Sequence, residues 1–155
     1  MPVQPIPEGA QTLTPYLVLD DAAGAIDFYR RAFGAEERLR MDGPDGKVAH
    51  ASMQLGGSQF MLADEFPGSP YRPPKRTGAT GVGLYVYVED VDAVFQRAVD
   101  AGATAHSPVE NMFWGDRWCR LVDPFGHVWE LATHVEDVSP EEMAERAQAA
   151  MAGTT

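Results

Sequence analysis

Cysteine is almost absent from this 155-residue chain: Cys119 stands alone, which excludes a disulfide framework and a thiolate metal cluster. A single thiol of this kind reads as a buried, inert side chain rather than a nucleophile. Basic residues are also scarce, 12 Lys and Arg against 23 Asp and Glu, for a net charge of −11. Nucleic acid calls for a basic footprint and anionic membrane surfaces call for basic patches, so neither is an expected partner. No apolar run approaches the roughly 20 residues that span a bilayer. The opening "MPVQPIPEGAQTL" has neither the basic nor the apolar region of a signal peptide, and the expected location is cytoplasmic.

The 45% apolar and 23% charged residues suit one globular domain, or two small units sharing a core. An internal repeat favours two units. "TPYLVLDDAAGAIDFYRRAFGAE" (14–36) reads as strand, turn and helix, and "GLYVYVEDVDAVFQRAVDAGAT" (83–104) reads the same way. Ile26, Tyr29 and Phe33 keep helical spacing, as do Val91, Val94, Ala98 and Ala101. Gly34 and Gly102 fit the position just past a helix end. Each helix is followed by β-like runs, "KVAHASMQL" and "SQFMLAD" in one copy, "RWCRLVD" and "HVWELAT" in the other. A shift of 69 residues overlays Tyr16 on Tyr85, Gly57 on Gly126, Met61 on Glu130 and Leu62 on Leu131. The expected fold class is α+β: two βαβββ units, about 12–64 and 82–134, forming a curved mixed sheet with a concave cleft.

Residues 65–81 separate the units and are rich in Pro and Gly; they read as a linker carrying a small basic island of Arg72, Lys75 and Arg76. A last helix is expected over about 139–151. Ser139 serves as its N-cap, Pro140 as its first residue and Glu142 as the capping-box acid. Met143, Ala147 and Met151 share one face of it, suited to docking on the body or on a second subunit.

"DPFGHVWEL" (123–131) places a tight turn before an apolar strand that contains one carboxylate, Glu130. Such a carboxylate is costly unless it is paired or faces water. Together with "AIDFYRRAFGAE", this motif makes residues 12–134 similar to the vicinal oxygen chelate superfamily. That superfamily holds glyoxalase I, extradiol dioxygenases, and fosfomycin- and bleomycin-resistance proteins. "FWGDRW" and "ELATH" most resemble its poorly characterised bacterial glyoxalase-like branch.

The resemblance implies a divalent ion in the cleft, held by residues of the first and last strands of each unit. Those positions are here Thr14, Met61, Gly83 and Glu130, of which only Glu130 is a ligand type. No metal or other cofactor is therefore expected. If a divalent ion does bind, the candidate ligands are His50 and Glu130. His134 shares the Glu130 face but lies about 13 Å further along an extended strand. His127 and His106 are expected to be exposed.

Period two places Thr14, Tyr16, Val18, Gln59, Met61, Tyr85, Tyr87, Val128, Glu130 and Ala132 on the cleft face, with Phe60, Leu62, Trp129 and Leu131 packed behind, and His50 joins the cleft if the face it shares with Ser52 and Gln54 turns inward. Phe113, Trp114 and Trp118 are placed at one rim. Aromatic walls with few polar groups suit a small organic ligand. The expected function is sequestration of a small, aromatic molecule by Thr14, Tyr16, His50, Gln59, Met61, Tyr85, Tyr87, Trp114 and Glu130. The alternative is an enzyme of the superfamily, either a metal-dependent lyase or dioxygenase with an unusual ligand set, or a metal-free proton-transfer catalyst using Glu130. The resemblance also implies a homodimer.

Overall fold

The computed structural model describes residues 2–153. It divides after Ala79 into two compact units, each with a four-stranded mixed sheet. In unit one, β1 (Tyr16–Leu19) leads to α1 (Ala22–Phe33), then β2 (Glu36–Asp42), β3 (Val48–Leu55) and β4 (Ser58–Asp64). The sheet order is β1-β4-β3-β2, with β1 parallel to β4 and the other pairs antiparallel. Unit two repeats this plan with β5 (Gly83–Tyr87), α3 (Val91–Ala101), β6 (Thr104–Asn111), β7 (Asp116–Val122) and β8 (Val128–His134), in the order β5-β8-β7-β6. Among the described residues no helix is long and apolar enough to cross a membrane.

The repeat read from the sequence is carried into the hydrogen bonds. Asp21 caps α1 by accepting from the Gly24 amide at 3.0 Å, and Asp90, 69 positions later, caps α3 by accepting from Ala93 at 3.1 Å. The first helical amide is held by the last strand in both units. Asp64 accepts from Ala22 at 2.9 Å, and Thr133, again 69 positions on, accepts from Val91 at 2.9 Å. The helix-start amides have no intrahelical acceptor, so these side chains supply one. Gly34 closes α1 in the left-handed region at φ 71°, as its sequence position suggested.

Each helix covers one face of its own sheet. Ile26, Phe28 and Tyr29 of α1 are buried against Leu17, Leu19, Met53, Phe60 and Leu62. In unit two, Trp129, Leu131, Leu121 and Cys119 are buried on the α3 side, with Val91 and Ala98. A fully buried side chain of this size contributes about 1.5–3 kcal/mol. Burial pushes the Cys119 thiol up to about 11, so it is no nucleophile at neutral pH.

Four expectations need correction. Thr14 lies ahead of β1 rather than within it, and the edge beside Gln59 is filled by Gln11 instead. The Gln11 side-chain amide donates to the Gln59 carbonyl at 2.8 Å and accepts from its N–H at 3.0 Å, copying a strand partner. Residues 65–81 are not a bare linker: they contain α2 (Pro74–Thr77), and Pro73 and Pro74 are buried. His127 is buried, not exposed, because its amide is pulled into the turn by Asp123 at 3.0 Å. Trp118 is not a rim residue but 5% exposed. The last helix, α4 (Pro140–Ala152), begins as expected, with Ser139 accepting from the Glu142 amide. Met143 and Ala147 are only half-buried and Met151 is 67% exposed.

Candidate functional site

The register of unit two puts Tyr85 beside Glu130 and Tyr87 beside Ala132 across the parallel β5–β8 pair. Across the β7–β8 hairpin, Asp116 faces His134, Trp118 faces Ala132 and Arg120 faces Glu130. Directly paired residues point to the same side of a sheet, so these side chains share the face opposite α3.

Asp116 is the centre of that face. It is 2% exposed, yet it accepts hydrogen bonds from four side chains. Tyr85, Tyr87 and Trp114 reach its Oδ2 at 2.7, 3.0 and 3.2 Å, and His134 Nδ1 lies 2.9 Å from its Oδ1. Burial alone would raise its pKa, but the bonds from Tyr85, His134, Tyr87 and Trp114 outweigh burial and hold the carboxyl below its ordinary value. Tyr85 is pushed upward by burial and by its bond to Asp116, so its phenol stays protonated at neutral pH.

Glu130 is paired with a cation across the hairpin. Arg120 Nη2 donates to Glu130 Oε1 at 3.0 Å, and the guanidinium also lies 5.0 Å from the Trp118 ring centroid. Trp114 packs edge-on against Trp118 at 5.9 Å, with its N–H shared between Asp116 and the Tyr85 hydroxyl. One donor remains over: the Trp118 indole N–H is buried and has no hydrogen-bond partner.

In unit one, the Tyr16 hydroxyl and His50 Nδ1 share a hydrogen bond of 2.9 Å, and the Tyr16 ring stacks on Tyr71 at 6.2 Å. Met61 lies beside Tyr16 and faces Ser52, with Gln59 two residues away on the same side. His50 and Glu130 thus each have a partner within their own unit.

The donor set does not fit a divalent ion. A Cβ at Gly83 would come within 3.7 Å of Glu130 Oε2, so that position is adjacent to the carboxylate but supplies no ligand atom. Glu130 is already engaged by a cation. Thr14 and Met61 are poor ligands for a hard ion, and no cluster of three or more His, Cys, Asp or Glu among the described residues could hold one.

Asp116, Arg120 and the buried place of Trp118 escaped sequence reasoning, although a signal was present. The turn in "DPFGH" is centred on Phe125, and Asp123 N–H bonds back to the His127 carbonyl. Mirroring positions about Phe125 pairs 120 with 130, 118 with 132 and 116 with 134, as observed.

His134 gives a pH prediction. Its Nδ1 faces Asp116 and its Nε2 lies 2.8 Å from Asp137, and both nitrogens can donate only when the ring is protonated. The bonds to Asp116 and then Asp137 raise its pKa above the ordinary value near 6.5. Its stabilisation is therefore complete below about pH 6.5 and is lost as pH rises through the higher folded value. His134→Gln should flatten that part of the stability–pH curve. An imidazole NMR titration of the folded protein at or below the free value would contradict the assignment.

The family model of the Glyoxalase/Bleomycin resistance protein/Dioxygenase superfamily matches residues 11–131. An uncharacterized protein of Mycobacterium bovis, Mb0911c, is 47% identical over 142 residues, covering 90% of this chain and 91% of its own. Among solved structures, TioX from Micromonospora sp. ML1 superposes with a TM-score of 0.63 at 29% identity, over 81% of this chain and all of that one. The fosfomycin resistance protein FosX from Listeria monocytogenes, solved with Mn(II) and sulfate, gives 0.60 at 16% identity, over 89% of this chain and 98% of its own, a likeness of fold alone.

Proposed function

The chain belongs to the Glyoxalase/Bleomycin resistance protein/Dioxygenase superfamily, and within it we propose that it binds a small, flat aromatic molecule bearing an oxygen acceptor, without a catalytic metal. The ligand sits on the open face of the unit-two sheet. Tyr85, 42% exposed, and Tyr87, 63% exposed, supply aromatic wall. Their hydroxyls are fixed by Asp116, so they orient rather than transfer protons. Glu130 is neutralised by Arg120, which argues against its use as a free base.

The observation that carries this reading is the unpartnered Trp118 N–H beside Arg120. A buried donor without an acceptor costs about 1–3 kcal/mol, and native proteins keep few of them. Among the described residues Arg120 Nε and Nη1 also have no acceptor, its one bond being from Nη2 to Glu130. A carbonyl, phenolate or carboxylate oxygen on an entering ring satisfies both groups once Trp114 swings aside. Aromatic stacking then replaces the Trp114–Trp118 contact.

The test is a titration of hydroxyaromatic, quinone and aromatic carboxylate compounds, read by tryptophan fluorescence in chelator-treated buffer. Trp118→Phe keeps an aromatic ring and removes the donor together with part of the indole's volume. We expect it to cost some stability through the volume lost at a 5% exposed site, and to bind a hit about tenfold more weakly, the worth of one hydrogen bond of about 1.4 kcal/mol. Binding that appears only after Mn(II) or Zn(II) is added, and vanishes in Glu130→Gln, would return the protein to the metal-enzyme reading.

A further inference from the structure

A second candidate site lies within unit one. A pocket of about 520 Å³ opens where β1 and β4 end, beneath the 65–76 segment. That volume is within the usual range for small ligands. Phe66 and Pro67 supply its apolar lining, and Lys47, Arg72 and Arg76 supply its cations. Three of the twelve basic residues of an acidic chain therefore converge on one cavity.

The pocket also contains three carboxylates, so formal charge does not decide its preference; the hydrogen-bond accounting does. Both oxygens of Asp64 are occupied by backbone, Oδ1 by the Ala22 amide and Oδ2 by the Val48 amide at 2.7 Å. Glu65 Oε1 is shared by two guanidinium groups, bonded to Arg76 Nη1 and 3.6 Å from Arg72 Nε. Asp20 is exposed. Against this, the Lys47 ammonium has no carboxylate partner among the described residues and lies 5.9 Å from the Phe66 ring centroid. Arg72 spends Nη1 on the Ser69 and Tyr71 carbonyls, at 2.5 and 2.7 Å, which anchors the side chain and leaves Nη2 over. Arg76 uses only Nη1. Three cations thus keep uncommitted donors, against two acids with uncommitted oxygens, Glu65 at Oε2 and the exposed Asp20.

The segment that carries these donors is held in place. Buried Pro73 and Pro74 seat the turn of α2, which presents Arg76, and Gly78 ends it at φ 85°. We propose that this pocket binds an oxyanion headgroup, a phosphate monoester or a carboxylate, attached to an apolar body. The headgroup bridges Lys47, Arg72 and Arg76, and the body lies against Phe66 and Pro67. Guanidinium groups match the paired oxygens of either anion.

The test is NMR of the full ¹⁵N-labelled chain titrated with inorganic phosphate, phenyl phosphate and benzoate at constant ionic strength. The Arg72 and Arg76 side-chain N–H signals and the Phe66 and Gly68 amides should shift in a saturable way. Phenyl phosphate should bind more tightly than inorganic phosphate because it adds the apolar body. Whichever of phenyl phosphate and benzoate binds more tightly identifies the headgroup. Lys47→Gln and Arg76→Gln should each weaken the better probe by about tenfold, the scale of one charge-assisted hydrogen bond. Arg38→Gln, on exposed β2, should change nothing. Shifts no larger than those from sodium chloride, or affinities that survive both pocket substitutions, would overturn the proposal.

Discussion

Asp123→Ala should destabilise the protein by about 3–5 kcal/mol, a large share of the roughly 5–15 kcal/mol that holds a domain folded. Asp123 is only 4% exposed. Its Oδ1 accepts from the Phe125 and His127 amides at 2.9 and 3.0 Å, and its Oδ2 accepts from the Trp129 indole at 2.9 Å. One carboxylate thus shapes the turn between β7 and β8 and locks the largest side chain of the unit-two core. Alanine leaves three donors without their acceptor, each worth about 1–3 kcal/mol when buried, with partial recovery through water. Asp123→Asn keeps the shape and the carbonyl oxygen but turns an NH2 group toward one side. It should cost less than alanine and more than a surface change. Urea melts of both variants, followed by Trp129 fluorescence, provide the measurement. An alanine variant within about 1 kcal/mol of the parent would show that the carboxylate is dispensable.

That prediction bears on what the sequence could reveal. "DPFGHVWEL" was recognisable as a motif, but its leading acid looked like a turn former. Its work is three local hydrogen bonds, to Phe125, His127 and Trp129, that form when the hairpin turn closes. Period two correctly separated Trp129 and Leu131, which are buried, from Glu130, which is not. The 69-residue repeat overlays Tyr16 on Tyr85 and Met61 on Glu130, and the strand register pairs them equivalently, Tyr16 with Met61 and Tyr85 with Glu130. What stayed hidden was the cross-strand partner of each residue. Glu130 was legible as a lone acid because Arg120 is ten positions away, and the two meet only through the hairpin register. Asp116 was hidden for the same reason: three of the four groups that bond to it lie 18 to 31 residues away. The basic island at Arg72 and Arg76 was visible, whereas the contribution of Lys47 to the same pocket required the sheet to exist. Local propensity fixes elements, and sites form where strand pairing brings distant residues together.

Gly115→Ala is the second large effect expected, at about 2–4 kcal/mol, because it combines a strained backbone with a steric clash. Gly115 sits at φ 99°, a conformation that side chains other than glycine's rarely allow. A Cβ there would lie 2.2 Å from the Glu136 carbonyl oxygen and 3.2 Å from Val138 Cγ2. The approach is close because the Gly115 carbonyl accepts from both the Val135 and Glu136 amides, at 2.9 and 3.1 Å. Arg146 of α4 adds a bond to the Phe113 carbonyl at 3.2 Å while paired with Glu136. The loop bearing Trp114 is therefore fastened to the segment after β8, and the substitution must push one from the other. Gly78→Ala is the control, since Gly78 has a similar φ of 85° but open space around its would-be Cβ. It should lose only the strain, about 1 kcal/mol or slightly more. The excess in Gly115→Ala then measures the clash, and it should come with a change in the near-UV circular dichroism of the Trp114–Trp118 pair. Equal losses in the two variants, with that signal unchanged, would mean that the Trp114 loop is not held by the chain that follows β8.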